Sequence, residues 1–90
     1  MSTRRSKLDI QLEVLNAIRA GVDKPTRIMY AANTSWNPVI KILDKLVDRE
    51  LLSVITNNGG NGSKKRYEIT EKGISVINYL EGAKELVDIM

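Results

Sequence analysis

Pro25-Thr26-Arg27-Ile28-Met29-Tyr30-Ala31-Ala32-Asn33-Thr34-Ser35-Trp36-Asn37-Pro38-Val39-Ile40-Lys41-Ile42-Leu43-Asp44-Lys45-Leu46-Val47 holds two helical patterns separated by a pair of turn residues. Proline suits the first turn of a helix, where its missing N–H has no intrahelical partner to lose. Ile28, Met29 and Ala32 then give residues 25–32 an apolar side. Asn33-Thr34 reads as a tight turn. Ser35 is placed to cap a longer helix reaching about Glu50, and Pro38 is tolerable because it falls in the first turn. At about 100° per residue, Val39, Ile42, Leu43, Leu46 and Val47 share one arc, the expected buried stripe. Asn37, Lys41, Asp44 and Asp48 lie opposite, with Lys45 at the edge.

The flanking sequence extends the plan in both directions. Upstream, Ile10, Val14, Leu15 and Ile18 recur at helical spacing, with Ser6 as cap and Gly21 as stop. Downstream, Leu52 to Thr56 is rich in strand formers. Arg66 to Ile69 alternates, with Tyr67 and Ile69 on one side and Arg66 and Glu68 on the other. The stretch from Asn57 to Lys65 between them is saturated with Asn and Gly, which predicts a hairpin. Thr70 then caps a last helix continuing to Met90, with Gly82 as its weak point.

Three helices with a tight turn between the second and third, then a hairpin, make the winged helix-turn-helix plan. The fold class is α+β, mainly α, and the chain 1–90 reads as a single domain. Within it, residues 1–6 form a basic arm, 25–50 the helix-turn-helix, 52–69 the wing hairpin and 70–90 a dimerisation helix.

Composition narrows the function. The 90 residues include no Cys and no His. Disulfides, thiolate metal sites and the commonest general base are therefore excluded. No apolar run approaches the ~18 residues of a membrane span, and no signal-type stretch follows the basic start. Asp9 with Glu13, or Asp44 with Asp48, has no visible base or nucleophile beside it, so the chain does not read as an enzyme. No cofactor, metal or small-molecule ligand is indicated. Net charge is +3, but residues 1–66 balance at +6 and residues 67–90 at −3. A basic working region of that kind makes double-stranded DNA the first partner to consider.

In helix-turn-helix proteins the start of the second motif helix meets base edges. Ser35, Asn37 and Lys41 are accordingly the expected readers. Asn can pair bidentately with adenine, and Lys can bond guanine or phosphate. The alternative for both is a solvated face. Trp36 falls beside the apolar arc, next to Val39 and Val47, so a packing role is expected, though its N–H could still point outward. Lys64-Lys65-Arg66 follows the loop tip where a wing would reach DNA. Arg4, Arg5 and Lys7 form a second cationic cluster, of the kind that can enter a minor groove.

In the last helix, Val76, Leu80, Ala83, Val87 and Met90 are spaced four, three, four, three. That is a coiled-coil seam about two heptads long. Tyr79 and Leu86 widen it, and Ile74 and Ile77 are expected to pack the helix start onto the core. The seam predicts a homodimer; the alternative is that the whole stripe packs within the chain.

Thr26 through Trp36, together with Arg5-Ser6-Lys7, Arg66-Tyr67 and Thr70-Glu71-Lys72-Gly73, resembles an archaeal winged-helix family. That family includes small chromatin-associated DNA-binding proteins and predicted transcriptional regulators. The likeness covers about residues 5–80. It implies a cytoplasmic or nucleoid-associated protein that dimerises through its last helix. It also implies DNA contacts from Thr26, Arg27, Thr34, Ser35, Trp36 and the wing. Two departures stand out: a wing longer and richer in Asn and Gly, and a last helix ending at Met90 where chromatin-type members continue into a long coiled coil. The second favours a compact regulator over an architectural chromatin protein. The alternatives are a sequence-tolerant chromatin protein and a module docking onto transcription machinery.

Overall fold

A reciprocal cap starts the first helix, α1 (Lys7–Arg19). The Ser6 hydroxyl accepts from the Asp9 amide at 3.1 Å, and the Asp9 carboxylate accepts from the Ser6 amide at 3.1 Å. Two amides that the helix itself cannot satisfy are thereby paired. Leu12, Val14, Leu15 and Ile18 are buried along its inner face, while Ile10 is half-buried. Gly21 follows the helix at φ 108°, a region that any side chain would strain. The computed structural model describes residues 6–57 and 64–88, and the side chains of residues 6–56 and 64–83.

The turn-rich punctuation folds as read. α2 (Pro25–Ala31) begins on its proline and buries Ile28 completely. Asn33 reverses the chain at φ 52°, a conformation Asn tolerates better than most residues. α3 (Trp36–Asp48) buries Val39, Leu43 and Leu46, flanked by half-buried Ile42 and Val47. Ser35 does occupy the cap position, but its side chain makes no capping bond, contrary to expectation. Both helices stop one or two residues early, because Ala32 and Arg49 cap them and Glu50 turns left-handed at φ 64°.

β1 (Leu52–Asn57) and β2 (Lys64–Ile69) pair antiparallel, from Leu52↔Ile69 to Asn57↔Lys64. Both strands are longer than alternation alone predicted, because cross-strand pairing carries Lys64 and Lys65 into the ladder. Tyr67 shares one face of the hairpin with the paired residues Leu52 and Ile69, and that face meets the helices. The Tyr67 amide donates 2.9 Å to the Asp23 carbonyl, so the α1–α2 loop lies along the outer edge of β2.

Thr70 joins the wing to α4 (Glu71–Asp88). Its hydroxyl lies 2.8 Å from the Glu50 carbonyl and 3.0 Å from that of Leu51, and accepts from the Gly73 amide at 3.0 Å. Ile77 is fully buried and Val76 packs on the core beside it, but Ile74 stays 38% exposed. Ile74 sits on the far flank of Ile77 from Val76 and Leu80, so a helix docked on the latter side turns it to solvent. Farther along, Asn16 on α1 donates 3.1 Å to Glu81, whose other oxygen is 4.0 Å from Arg19.

One core unites all six elements: Val14, Leu15 and Ile18, then Ile28, Val39, Leu43, Leu46, Leu52, Tyr67 and Ile77. Each such aliphatic side chain stabilises the fold by ~1.5–3 kcal/mol on burial. Ile77 alone anchors the start of α4 completely, so Ile77→Ala would cost about 2–5 kcal/mol.

Candidate nucleic-acid interface

Burying Val39, Leu43 and Leu46 turns the opposite side of α3 to solvent, where Asn37, Lys41, Asp44, Lys45 and Asp48 are all exposed. The start of α1 comes alongside. Lys7, Asn37, Lys41 and Lys45 ring a depression of about 310 Å³ floored in part by Ile10 and Ile42. Three lysines from two helices thus border one concave surface, and Asn37 adds an amide that can both donate and accept.

A second depression, of about 260 Å³, separates the start of α2 from the wing. Lys24, Thr26, Lys64, Lys65 and Arg66 line it. Register divides the wing's cations: Lys65 shares the Tyr67 face, while Lys64 and Arg66 share the opposite face with Ile55. Arg66 also meets Asp23, at 3.9 Å, across the edge of β2.

Ser35 is exposed and Thr34 half-buried, and Arg27 is exposed on α2. Trp36 is 49% exposed, so it packs less than its place beside the apolar arc suggested. Arg4 and Arg5 lie outside the described residues. Three surface groups escaped sequence reading. Lys45, read only as the edge of the α3 face, and Lys24 gain Lys7 and the wing cations respectively as neighbours only in the folded chain, and Tyr30, 73% exposed, occupies a helix too short for its solvent side to be evident.

The surface expected to pair protomers is less uniform than its spacing. Val76 and Leu80 are half-buried and line a cleft of about 220 Å³ with Leu8, Leu12 and Leu46. That part of the seam therefore packs substantially within the chain. Tyr79 is 76% exposed and Ala83 is exposed. Leu86 and Val87 belong to α4 with side chains outside those described, and Met90 lies outside the described residues.

Such a surface offers cations for phosphate oxygens and an amide for base edges. A model of the winged helix-turn-helix family matches residues 4–88. The chain belongs to that family. This winged helix-turn-helix protein is 34% identical over 87 residues to an uncharacterized protein of Methanocaldococcus jannaschii, covering 97% of this chain and 78% of the other. It is 30% identical to Sso10a-2, described as a DNA-binding protein from Sulfolobus solfataricus, with a TM-score of 0.65 over 93% of this chain and 94% of that one. The archaeal resemblance read from the central run is thereby met.

Two bacterial structures match at fold level. The protein smu.1704 from Streptococcus mutans gives a TM-score of 0.83 at 22% identity, over 99% of this chain and 88% of that one. The oxidized form of MarR from E. coli gives 0.65 at 19%, over 79% of this chain and 50% of that one. The winged helix-turn-helix protein thus has a DNA-binding fold similar to MarR-family transcription regulators and to an archaeal DNA-binding protein. No helix among its described residues is long and apolar enough to cross a membrane.

Proposed function

We propose that the protein is a non-enzymatic transcriptional regulator that binds duplex DNA as a homodimer in the cytoplasm, associated with the nucleoid. The observation that carries this reading is a pair of basic depressions, one lined by Asn37, Lys41 and Lys45 of α3 with Lys7, the other by Lys24 and the wing cations. α3 enters the major groove, where Ser35, Asn37 and Lys41 meet base edges and the flanking residues Thr26, Arg27, Thr34 and Trp36 meet the backbone. Lys7 and the wing lysines Lys64 and Lys65 neutralise phosphates, and Arg4 and Arg5 extend that track. Asp44 and Asp48 lie toward the C-terminal half of α3, where the helix leaves the groove. Tyr79, Ala83, Leu86, Val87 and Met90 pair the protomers, so two half-sites are read at once.

Similarity to Sso10a-2, described as a DNA-binding protein, across nearly the whole of both chains supports DNA binding as such, and the second reading is a protein that coats DNA with little sequence preference. Selection of bound duplexes from a random pool separates the two. A sharp two-fold motif is expected of the regulator, and an unenriched pool at equal affinity would establish coating. Binding must also weaken steeply as salt rises, because phosphate contacts release counterions. Affinity for duplex that does not change with salt would defeat both readings.

A further inference from the structure

Arg66 continues the Lys64-Lys65 run, yet its surroundings differ from those of its neighbours. On its face of the wing it stands between Ile55 and Glu68, and together with Asp23 these line one shallow depression. One carboxylate is 3.9 Å from its guanidinium. A phosphate reaching Arg66 must compete with groups already there. Lys65 leaves the strand on the opposite face, and Lys24, one residue after Asp23, lines the basic notch with Lys64, Lys65 and Arg66.

Asp23 is held twice against adjacent residues of β2. Its carbonyl accepts from the Tyr67 amide at 2.9 Å, and its carboxylate pairs with Arg66. The α1–α2 loop and the wing are thereby clamped at one point. The notch above that point has cations on both walls, which repel each other across the gap. The attraction between Asp23 and Arg66 offsets part of that repulsion and ties the two walls together.

Resting on the DNA-binding reading above, we infer that Asp23 and Arg66 are positioning residues that brace the wing, and that Lys24 with Lys65 grips a backbone phosphate across the notch. Arg66 is then not a DNA contact, despite its place in the cationic run. As an exposed pair the brace adds little to global stability. Its effect is on where the wing stands.

The test uses the full chain with its selected duplex across a salt series, in four variants. Lys24→Ala lowers the slope of log affinity against log salt by about 0.9 per protomer, the mark of one lost phosphate contact. Arg66→Asp weakens binding severalfold, by turning the brace into a repulsion. Adding Asp23→Arg to it recreates the pair in reverse and returns wild-type affinity and slope. Asp23→Asn alone loosens the wing, and hydrogen exchange of the Tyr67 amide rises without DNA present. That exchange also rises in Arg66→Asp and falls back in the swapped double variant. A double variant no better than Arg66→Asp shows that Arg66 itself touches DNA and overturns the brace, as does a Tyr67 amide indifferent to all three changes. An unaltered slope in Lys24→Ala overturns the phosphate grip. Wild-type protein that binds no duplex overturns the DNA reading and the grip together, while the exchange measurement still decides the brace.

Discussion

The carbonyl oxygen of Leu51 occupies the space that a Cβ on Gly73 would need, and the Ile69 side chain would stand 2.8 Å from that same atom. This close approach lets α4 start directly beneath the link between α3 and β1, where Thr70 can bond to both Glu50 and Leu51. Gly73→Ala should therefore destabilise by ~1–3 kcal/mol, overriding alanine's advantage within a helix. Gly82 lies in the same helix with nothing within 4 Å of its missing Cβ. There the identical change should stabilise by about 0.5–1 kcal/mol. Urea unfolding of the two variants should move the midpoint in opposite directions, and a shift of the same sign in both would refute this account of α4's docking.

The architecture was legible because the apolar spacing of α1 and α3, the Asn33 turn and the Asn/Gly-rich hairpin each act through local chemistry. Position in the assembled fold was not. Ile74 and Ile77 carry the same side chain three residues apart, yet only the docking direction of α4 decides which is buried. Val76 and Leu80 fit a pairing seam by spacing, and the same spacing fits packing against α1; the chain uses them at least partly for the latter. The cationic run 64–66 was evident, but strand register sends Lys65 and Arg66 to opposite faces. Lys24 had no pattern around it at all. Its neighbours come from a strand forty residues away in the chain.

Glu50 provides a second measure of local strain. It ends α3 at φ 64°, where a residue bearing a Cβ is disfavoured by ~1–2 kcal/mol. Its hydrogen bonds there are made by backbone atoms, its amide donating 2.9 Å to Val47 and its carbonyl accepting from Thr70. Glycine keeps both bonds. After glycine's own entropic cost, Glu50→Gly should raise stability by about 0.5–1 kcal/mol, whereas Glu50→Val should lower it. A urea midpoint that falls in the glycine variant would show that the Glu50 side chain contributes more than its backbone strain removes.

Alkaline stability should depend on Tyr67. Burial holds its hydroxyl above the ordinary value of 10.0, and the Asp44 carboxylate raises it further. Below pH 10 both folded and unfolded chains keep the proton, so Tyr67 adds no slope. Above it the unfolded chain releases the proton first, and each pH unit then favours unfolding by up to ~1.4 kcal/mol until the folded form also titrates. Tyr67→Phe should flatten this limb, and Asp44→Asn should shorten it. Denaturant midpoints measured from pH 8 to 11.5 would show it, and equal slopes in wild type and Tyr67→Phe would remove Tyr67 from the explanation.

Pairing through α4 is best tested at Tyr79, which is 76% exposed, and not at Leu80, whose half-buried side chain lines the cleft against α1. A charge at position 80 would disturb folding and pairing together. A charge at position 79 is harmless to a monomer but is desolvated if a second α4 covers that face, which costs several kcal/mol. Tyr79→Asp should thus keep its helical circular dichroism while its sedimenting mass falls from two chains to one. DNA binding supplies an independent readout. A dimer adds the phosphate contacts of two protomers, so the monomeric variant should show about half the wild-type salt slope on the same duplex. Wild-type protein that already sediments as a single chain at high micromolar concentration would end the homodimer proposal, and the halved slope would then have no reason to appear.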